Sequence, residues 1–200
     1  MPATSPGIGI AAFDPVKEQG MDINGTVAVV TGGGTGIGAA VAESLARKGA
    51  ATVVVNYSRS AAEAQATVAR LEELGCKAVA VAADVSDDAA VRRLAERVRA
   101  DHGRVDILVC NAGTTGWVPF PDLDGLTDDL WRPGIVATRW HIDRVGEQVF
   151  SDMAAKEEMK APLRRTAQPE HIAQMVTALL ESDLVTGETL VGDGGRHLGY

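Results

Sequence analysis

The run Thr26-Val27-Ala28-Val29-Val30, followed without a break by Thr31-Gly32-Gly33-Gly34-Thr35-Gly36-Ile37-Gly38, is where the fold is decided. An apolar, β-branched stretch ends in spaced glycines and then feeds an amphipathic stretch over residues 39–48. That order reads as strand, tight turn and helix, the opening unit of a dinucleotide-binding α/β fold. One glycine lets the chain turn off the strand, another lets backbone approach a pyrophosphate, and the last brings helix against strand. The N–H groups at Ile37 and Gly38, at the positive end of the helix dipole, would then face phosphates. Glycine turns without ligands are common, so the rest of the chain has to carry the reading.

It alternates as such a fold requires. Strands are expected at 51–56, 77–82 and 105–110, with helices at 61–74 and 87–101 between them. Short β-branched strands separated by helices of this length imply crossover connections and a parallel sheet. Ser86-Asp87-Asp88 supplies cap-competent residues at the start of the third helix, whose Val91, Leu94 and Val98 recur at helical spacing. Beyond Asn111 the rhythm changes. Residues 114–129 read as a loop and the start of a short helix, 142–160 as one helix, 169–180 as another opened by proline, and 189–191 as a last short strand. Residues 1–20 are expected to be a flexible tail or an upstream start, and 21–200 one domain.

Composition narrows the function classes. At 200 residues, with 46% hydrophobic and 23% charged residues, the chain suits a single α/β domain with a real core. A net charge of −8 offers no basic footprint for nucleic acid, and no apolar run reaches membrane-spanning length. Cys76 and Cys110 lack metal or disulfide spacing, and His102, His141, His171 and His197 form no ligand pair, so no metal is expected and a reducing cytoplasm is.

These motifs, in this order, resemble those of the short-chain dehydrogenase/reductase family from Met21 to Leu198. The glycine turn is similar to the family's TGxxxGxG, Ala83-Asp84-Val85 to its adenine contact, and Cys110-Asn111-Ala112-Gly113 to its NNAG motif with Cys in the first place. Pro133-Gly134-Ile135-Val136, with Thr138 behind, resembles the loop that closes over nicotinamide, and Asp193-Gly194-Gly195 the family's C-terminal turn. The resemblance implies an NAD(P)-dependent oxidoreductase acting on an alcohol or carbonyl.

It also exposes a gap. The family's proton donor is a tyrosine with a lysine four residues on, because a phenol needs a nearby cation to exchange protons near neutrality. Here the tyrosines are Tyr57 and Tyr200; position 61 is Ala, and no serine follows an apolar strand between Asn111 and Pro133. Trp131-Arg132-Pro133 stands where relatives carry two strands and two helices, on the order of 60 residues at about 30 per βα unit. The implied fold is therefore α/β, a Rossmann-type doubly wound parallel sheet that is incomplete, with strands five and six and their helices missing. No catalytic residue can be assigned. Poor cover is expected for Val29, Val54 and Leu108, and 189–191 must either pair with 105–110 or stay detached. The family's usual homo-oligomer is not expected, since relatives dimerise through helices of the absent segment.

The cofactor reading rests on Asn56-Tyr57-Ser58-Arg59. An NAD-binding fold places an acid after the second strand, whereas a 2′-phosphate needs donors and positive charge. The lack of an acid favours NADP(H), with NAD(H) as the alternative; Arg59 can equally be a solvated turn residue. Asp84 can serve adenine, its own turn, or both, and Asn111 can contact ribose or pin the sheet edge. Trp117, Phe120, Trp140 and His141 fall where relatives shape a substrate pocket, but scattered aromatics are as readily packing residues.

Overall fold

The computed structural model describes residues 20–113 and 136–195. Strands β1 (Val27–Val30), β2 (Thr52–Tyr57), β3 (Lys77–Ala82) and β4 (Ile107–Val109) form a parallel sheet in the order β3-β2-β1-β4. Helices α1 (Gly36–Arg47), α2 (Ala61–Glu73) and α3 (Asp88–His102) are the crossovers between them. β1 is buried along its whole length, the condition for a strand covered on both faces. One face, with Ala28, Val30, Val53, Val55 and Ile107, packs on Val41 and Leu45 of α1 and Val68 and Leu71 of α2. The other, with Val29, Val54 and Val81, packs on Leu94 and Val98 of α3.

That second face corrects one expectation and keeps another. Val29 pairs in register with both Val54 and Leu108, so the three share a face. Val29 and Val54 are nevertheless buried, because α3 alone is enough to cover β1 and β2. Leu108, one strand further out, is 62% exposed. β4 is also shorter than expected. Asp106, just before it, donates its N–H to Val27 O at 2.9 Å and accepts the Val27 N–H on Oδ2 at 2.8 Å, with Arg104 paired to the same carboxylate.

α3 begins where the sequence indicates, with Asp87 accepting the Ala89 N–H at 2.9 Å, and ends at Gly103 in the left-handed region. Further on, the single helix expected at 142–160 is two: α4 (Arg139–Val145) and α5 (Glu147–Lys160). Gly146, at φ 81° and ψ 156°, adopts a conformation no right-handed helix accommodates and separates them. α6 (Pro169–Glu181) lies against α1, burying Ala173 and Thr177. It is tied to the β1 end by the Met21 N–H to Leu180 O at 3.0 Å and by Lys48 to Glu181 at 2.8 Å.

Residues 189–191 form no strand, so of the two expected outcomes the detached one is observed. Leu190 and Val191 are exposed, and Gly192 rests against Met175 of α6. Among the described residues no helix is long and apolar enough to cross a membrane. The readings made for residues 1–19 and 114–135, including Trp117 and Phe120, lie outside the described residues.

Candidate functional site

A parallel sheet brings the segments after all four strands to one edge, and here that edge is organised around the glycine loop at 31–38. Thr31 Oγ1 is the hub: it accepts the N–H groups of Asn111 (2.9 Å) and Ala112 (3.0 Å) and donates to Val109 O (3.2 Å). The Asn111 amide donates to the carbonyls of Thr31 (2.9 Å) and Gly32 (3.2 Å). From the opposite side, buried Thr67 of α2 donates its hydroxyl to Gly34 O at 3.1 Å, and the Gly33 N–H reaches Asn56 O at 3.0 Å. The loop's carbonyls are thus held from both flanks.

The start of α1 is left open to a ligand. Thr35, its N-cap residue, makes no side-chain cap bond, and the first turn carries no acid. By contrast, α2 and α3 each have an acid in the first turn, and α3 is capped as well. Uncapped N–H groups at a positive dipole end, with no competing carboxylate, are what a phosphate group requires. Gly38 makes the turn tight enough: a Cβ there would overlap Gly32 O and lie 2.5 Å from the Asn111 amide nitrogen. Gly36 has φ 55°, and a Cβ on it would stand 3.3 Å from Thr138 Cγ2. The donor set and the shape of the loop fit a dinucleotide's pyrophosphate.

Among the residues singled out in the sequence, Gly32, Gly34, Thr35, Gly36, Ile37 and Gly38 come together on this loop. Ser58 and Arg59 are exposed at the same edge. Asn56 has a different placement from the one its position suggested. It is buried in β2, and its amide donates to Val81 O (3.3 Å) and Ala83 O (3.0 Å), tying β2 to β3. Tyr57 is half-buried against the core and accepts the Ala83 N–H at 2.9 Å through its carbonyl.

Asp84 does serve its turn: Oδ1 accepts the Ser86 hydroxyl (2.7 Å) and N–H (2.9 Å). The Ser86 hydroxyl first, then its N–H, hold the Asp84 carboxyl below the usual range, and the charge of Arg59 adds to the effect. Val85 is exposed beside it, and Ala112 and Gly113 are exposed past Asn111. Val136 is buried in an isolated bridge to Ala167, while Pro133, Gly134 and Ile135 lie outside the described residues. His141 packs against Phe150, 5.8 Å between ring centres, and burial pushes its pKa down.

Reading the sequence missed Thr67 as a site-shaping residue and gave Thr31, the first residue of the glycine motif, no role of its own. Thr67 left a signal, a polar residue within the buried stripe Ala64, Thr67, Val68, Leu71 of α2. Cys76 and Cys110 are free, and among the described residues no three His, Cys, Asp or Glu stand together as a metal site.

The short chain dehydrogenase family model matches residues 26–132, and a second, described as enoyl-(acyl carrier protein) reductase, matches 132–197. The short-chain dehydrogenase/reductase homolog YusS of Bacillus subtilis is 46% identical over 110 residues, covering 55% of this chain and all of that one. The granaticin polyketide synthase putative ketoacyl reductase 2 of Streptomyces violaceoruber is 29% identical, over 86% of this chain and 96% of that protein. That alignment runs to 247 positions, whereas 86% of 200 residues is about 172, which leaves about 75 positions without a residue from this chain. Several fungal and bacterial relatives are matched over 37% to 43% of their own length. A short chain dehydrogenase from Burkholderia cenocepacia, solved in complex with NADP, superposes with a TM-score of 0.73 at 25% identity, covering 88% of this chain and 100% of that one. With a family match over more than half its length, and a Rossmann-type parallel sheet carrying the glycine loop at its edge, this chain belongs to the short-chain dehydrogenase/reductase family of oxidoreductases.

Proposed function

We propose that this chain is a dinucleotide-binding member of its family that holds NADP(H) and carries out no ordinary hydride transfer. The observation that carries the binding half is the uncapped first turn of α1 behind a glycine loop braced by Asn111 and Thr67. Gly36, Ile37 and Gly38 would receive the pyrophosphate on their N–H groups, and Asp84 and Val85 would border the adenine. Ser58 and Arg59, beyond β2, would meet a 2′-phosphate, with positive charge where an NAD-binding fold has an acid. The Burkholderia cenocepacia relative was solved in complex with NADP, which supports this choice over NAD(H). Pro133 to Val136 would close over the nicotinamide, whose role when bound is to give or take a hydride.

The silent half of the proposal follows from the proton. Hydride addition to a carbonyl needs a donor at the oxygen. Tyr57 is half-buried against the core with Ala at position 61, so it lacks the lysine four residues on. The two family models meet at Arg132, and the Streptomyces violaceoruber alignment contains about 75 positions that this chain does not fill. Both support an internal gap at Trp131-Arg132-Pro133 that takes the Ser, Tyr and Lys of the family with it. The full match to a relative of YusS's length supports the cofactor half as a unit that occurs alone. The free thiols suit a reducing cytoplasm, and the acidic charge argues against nucleic acid.

The test uses the purified chain and its Gly38→Ala variant. Calorimetry should show saturable NADPH binding that weakens about 100-fold or more in the variant, since the added methyl overlaps the loop's own carbonyl. NADPH oxidation with a panel of aldehydes and ketones should stay at the level of that variant. Turnover well above it overturns the silent half, and absence of NADPH binding overturns the whole reading.

A further inference from the structure

Two segments flank the glycine loop from opposite sides. Thr138 lies on Gly36, and Ala64 of α2 lies on Gly34, whose Cβ would stand 3.1 Å from the Ala64 backbone. Arg139 spans the space between these flanks. Its Nη2 donates to Glu63 Oε1 at 2.9 Å, in the first turn of α2, while its Nε donates to Asp143 Oδ2 at 2.9 Å. The Arg139 side chain is 61% exposed and that of Glu63 32%. An exposed ion pair of this kind contributes little to stability and is easily exchanged. Each of the two carboxylates takes a single hydrogen bond from Arg139, whereas a phosphate can take two parallel charge-assisted ones.

We propose that Arg139 is a phosphate-gathering arm of the dinucleotide site, held in reserve by Glu63 until the ligand's phosphates displace that carboxylate. The inference rests on the dinucleotide reading above and adds to it a specificity-determining residue outside the glycine, Asp84 and Arg59 segments. Two features support the exchange. Glu63 stays ionised, its own backbone N–H and then Arg139 holding its carboxyl below the usual range, so the reserve position persists at neutral pH. Arg139 also follows directly on Thr138, so the residue that touches Gly36 aims the arm across the loop.

Four full-length proteins test this: the natural chain, Glu63→Gln, Arg139→Gln and the double variant, each titrated calorimetrically with NADPH. Glu63→Gln is expected to tighten binding about threefold, the size of an exposed ion pair. Arg139→Gln is expected to weaken it about tenfold, the loss of a charge-assisted contact. Adding Glu63→Gln to Arg139→Gln should then change nothing further. If Glu63→Gln tightens binding equally in both backgrounds, Glu63 acts only as a negative charge near an anion and the arm is overturned. An unchanged affinity in Arg139→Gln overturns it too, while leaving the dinucleotide reading intact. Failure of the natural chain to bind NADPH overturns both. The latch has a readout that needs no ligand: hydrogen exchange over residues 136–146 should rise in both single variants, and unchanged exchange overturns the reserve position.

Discussion

The segment from Met21 to Gly113 and the one from Val136 to Gly195 differ in how they bury themselves. In the first, β1 and β2 find helices on both faces, and Val30, Val53, Val54, Val55, Leu45 and Leu71 are fully buried. In the second, α6 contributes Ala173 and Thr177 to the interior, while Val149, Met159, Leu163, Leu184, Leu190 and Val191 remain exposed. The first segment is a layered core; the second is attached to it, chiefly along α1. The same kinds of apolar residue occur in both, so the difference comes from partners. A parallel sheet buries its residues only when covered on both sides, and exposed Leu108 on β4 marks where that cover stops.

The comparison breaks most easily on matched truncations. Leu45→Ala, at 0% exposure, should lower unfolding free energy in urea by about 3 kcal/mol, whereas Leu184→Ala, at 90%, should stay within about 0.5 kcal/mol. Similar losses for both would mean that the second segment has a core of its own. A smaller effect sharpens the boundary at the site. Asn111→Ala removes both amide bonds to the loop carbonyls and should cost about 1 to 2 kcal/mol in the same assay. It should also weaken NADPH binding, because the freed loop no longer presents the α1 donors in place.

The smallest effect belongs to the attached segment alone. His141 has its pKa lowered chiefly by burial, with Arg144 adding to the effect, so its neutral form is favoured in the fold. An opened chain takes up the proton near its ordinary value of about 6.5. The stability linked to His141 is therefore complete above that pH and is lost as pH falls toward the folded value. Protection over residues 139–150, taken against the intrinsic exchange rate at each pH, should fall between about pH 7 and pH 5, with β1 and β2 unaffected and the fall absent in His141→Gln.

Much of the first segment was legible because its signals are local. Alternation of β-branched strands with helices, the Asp87 cap and the glycine turn each depend on residues within one turn or strand of one another. The break at Gly146 was legible only in principle, since glycine inside a helical pattern is tolerated until the backbone adopts positive φ. The strand expected at 189–191 failed for a different reason: an extended, largely β-branched triplet becomes a strand only beside a neighbour, and the described residues supply none there. At the site, Gly38 was readable from motif spacing; Thr67 stood out only as a polar residue in an apolar stripe, and its partner Gly34 was not legible because the bond joins residues 33 positions apart.

The sequence by itself determined the family, the alternation of strands and helices and the position of the glycine turn, because all three are written in spacing and side-chain size. The tertiary structure decided which polar residues are committed to holding the scaffold. Asn56 is committed to β3 and Asn111 to the glycine loop, while the first turn of α1 is left without a cap. That division depends on which carbonyl lies within hydrogen-bond reach once distant strands are brought side by side, and no local pattern encodes such a distance.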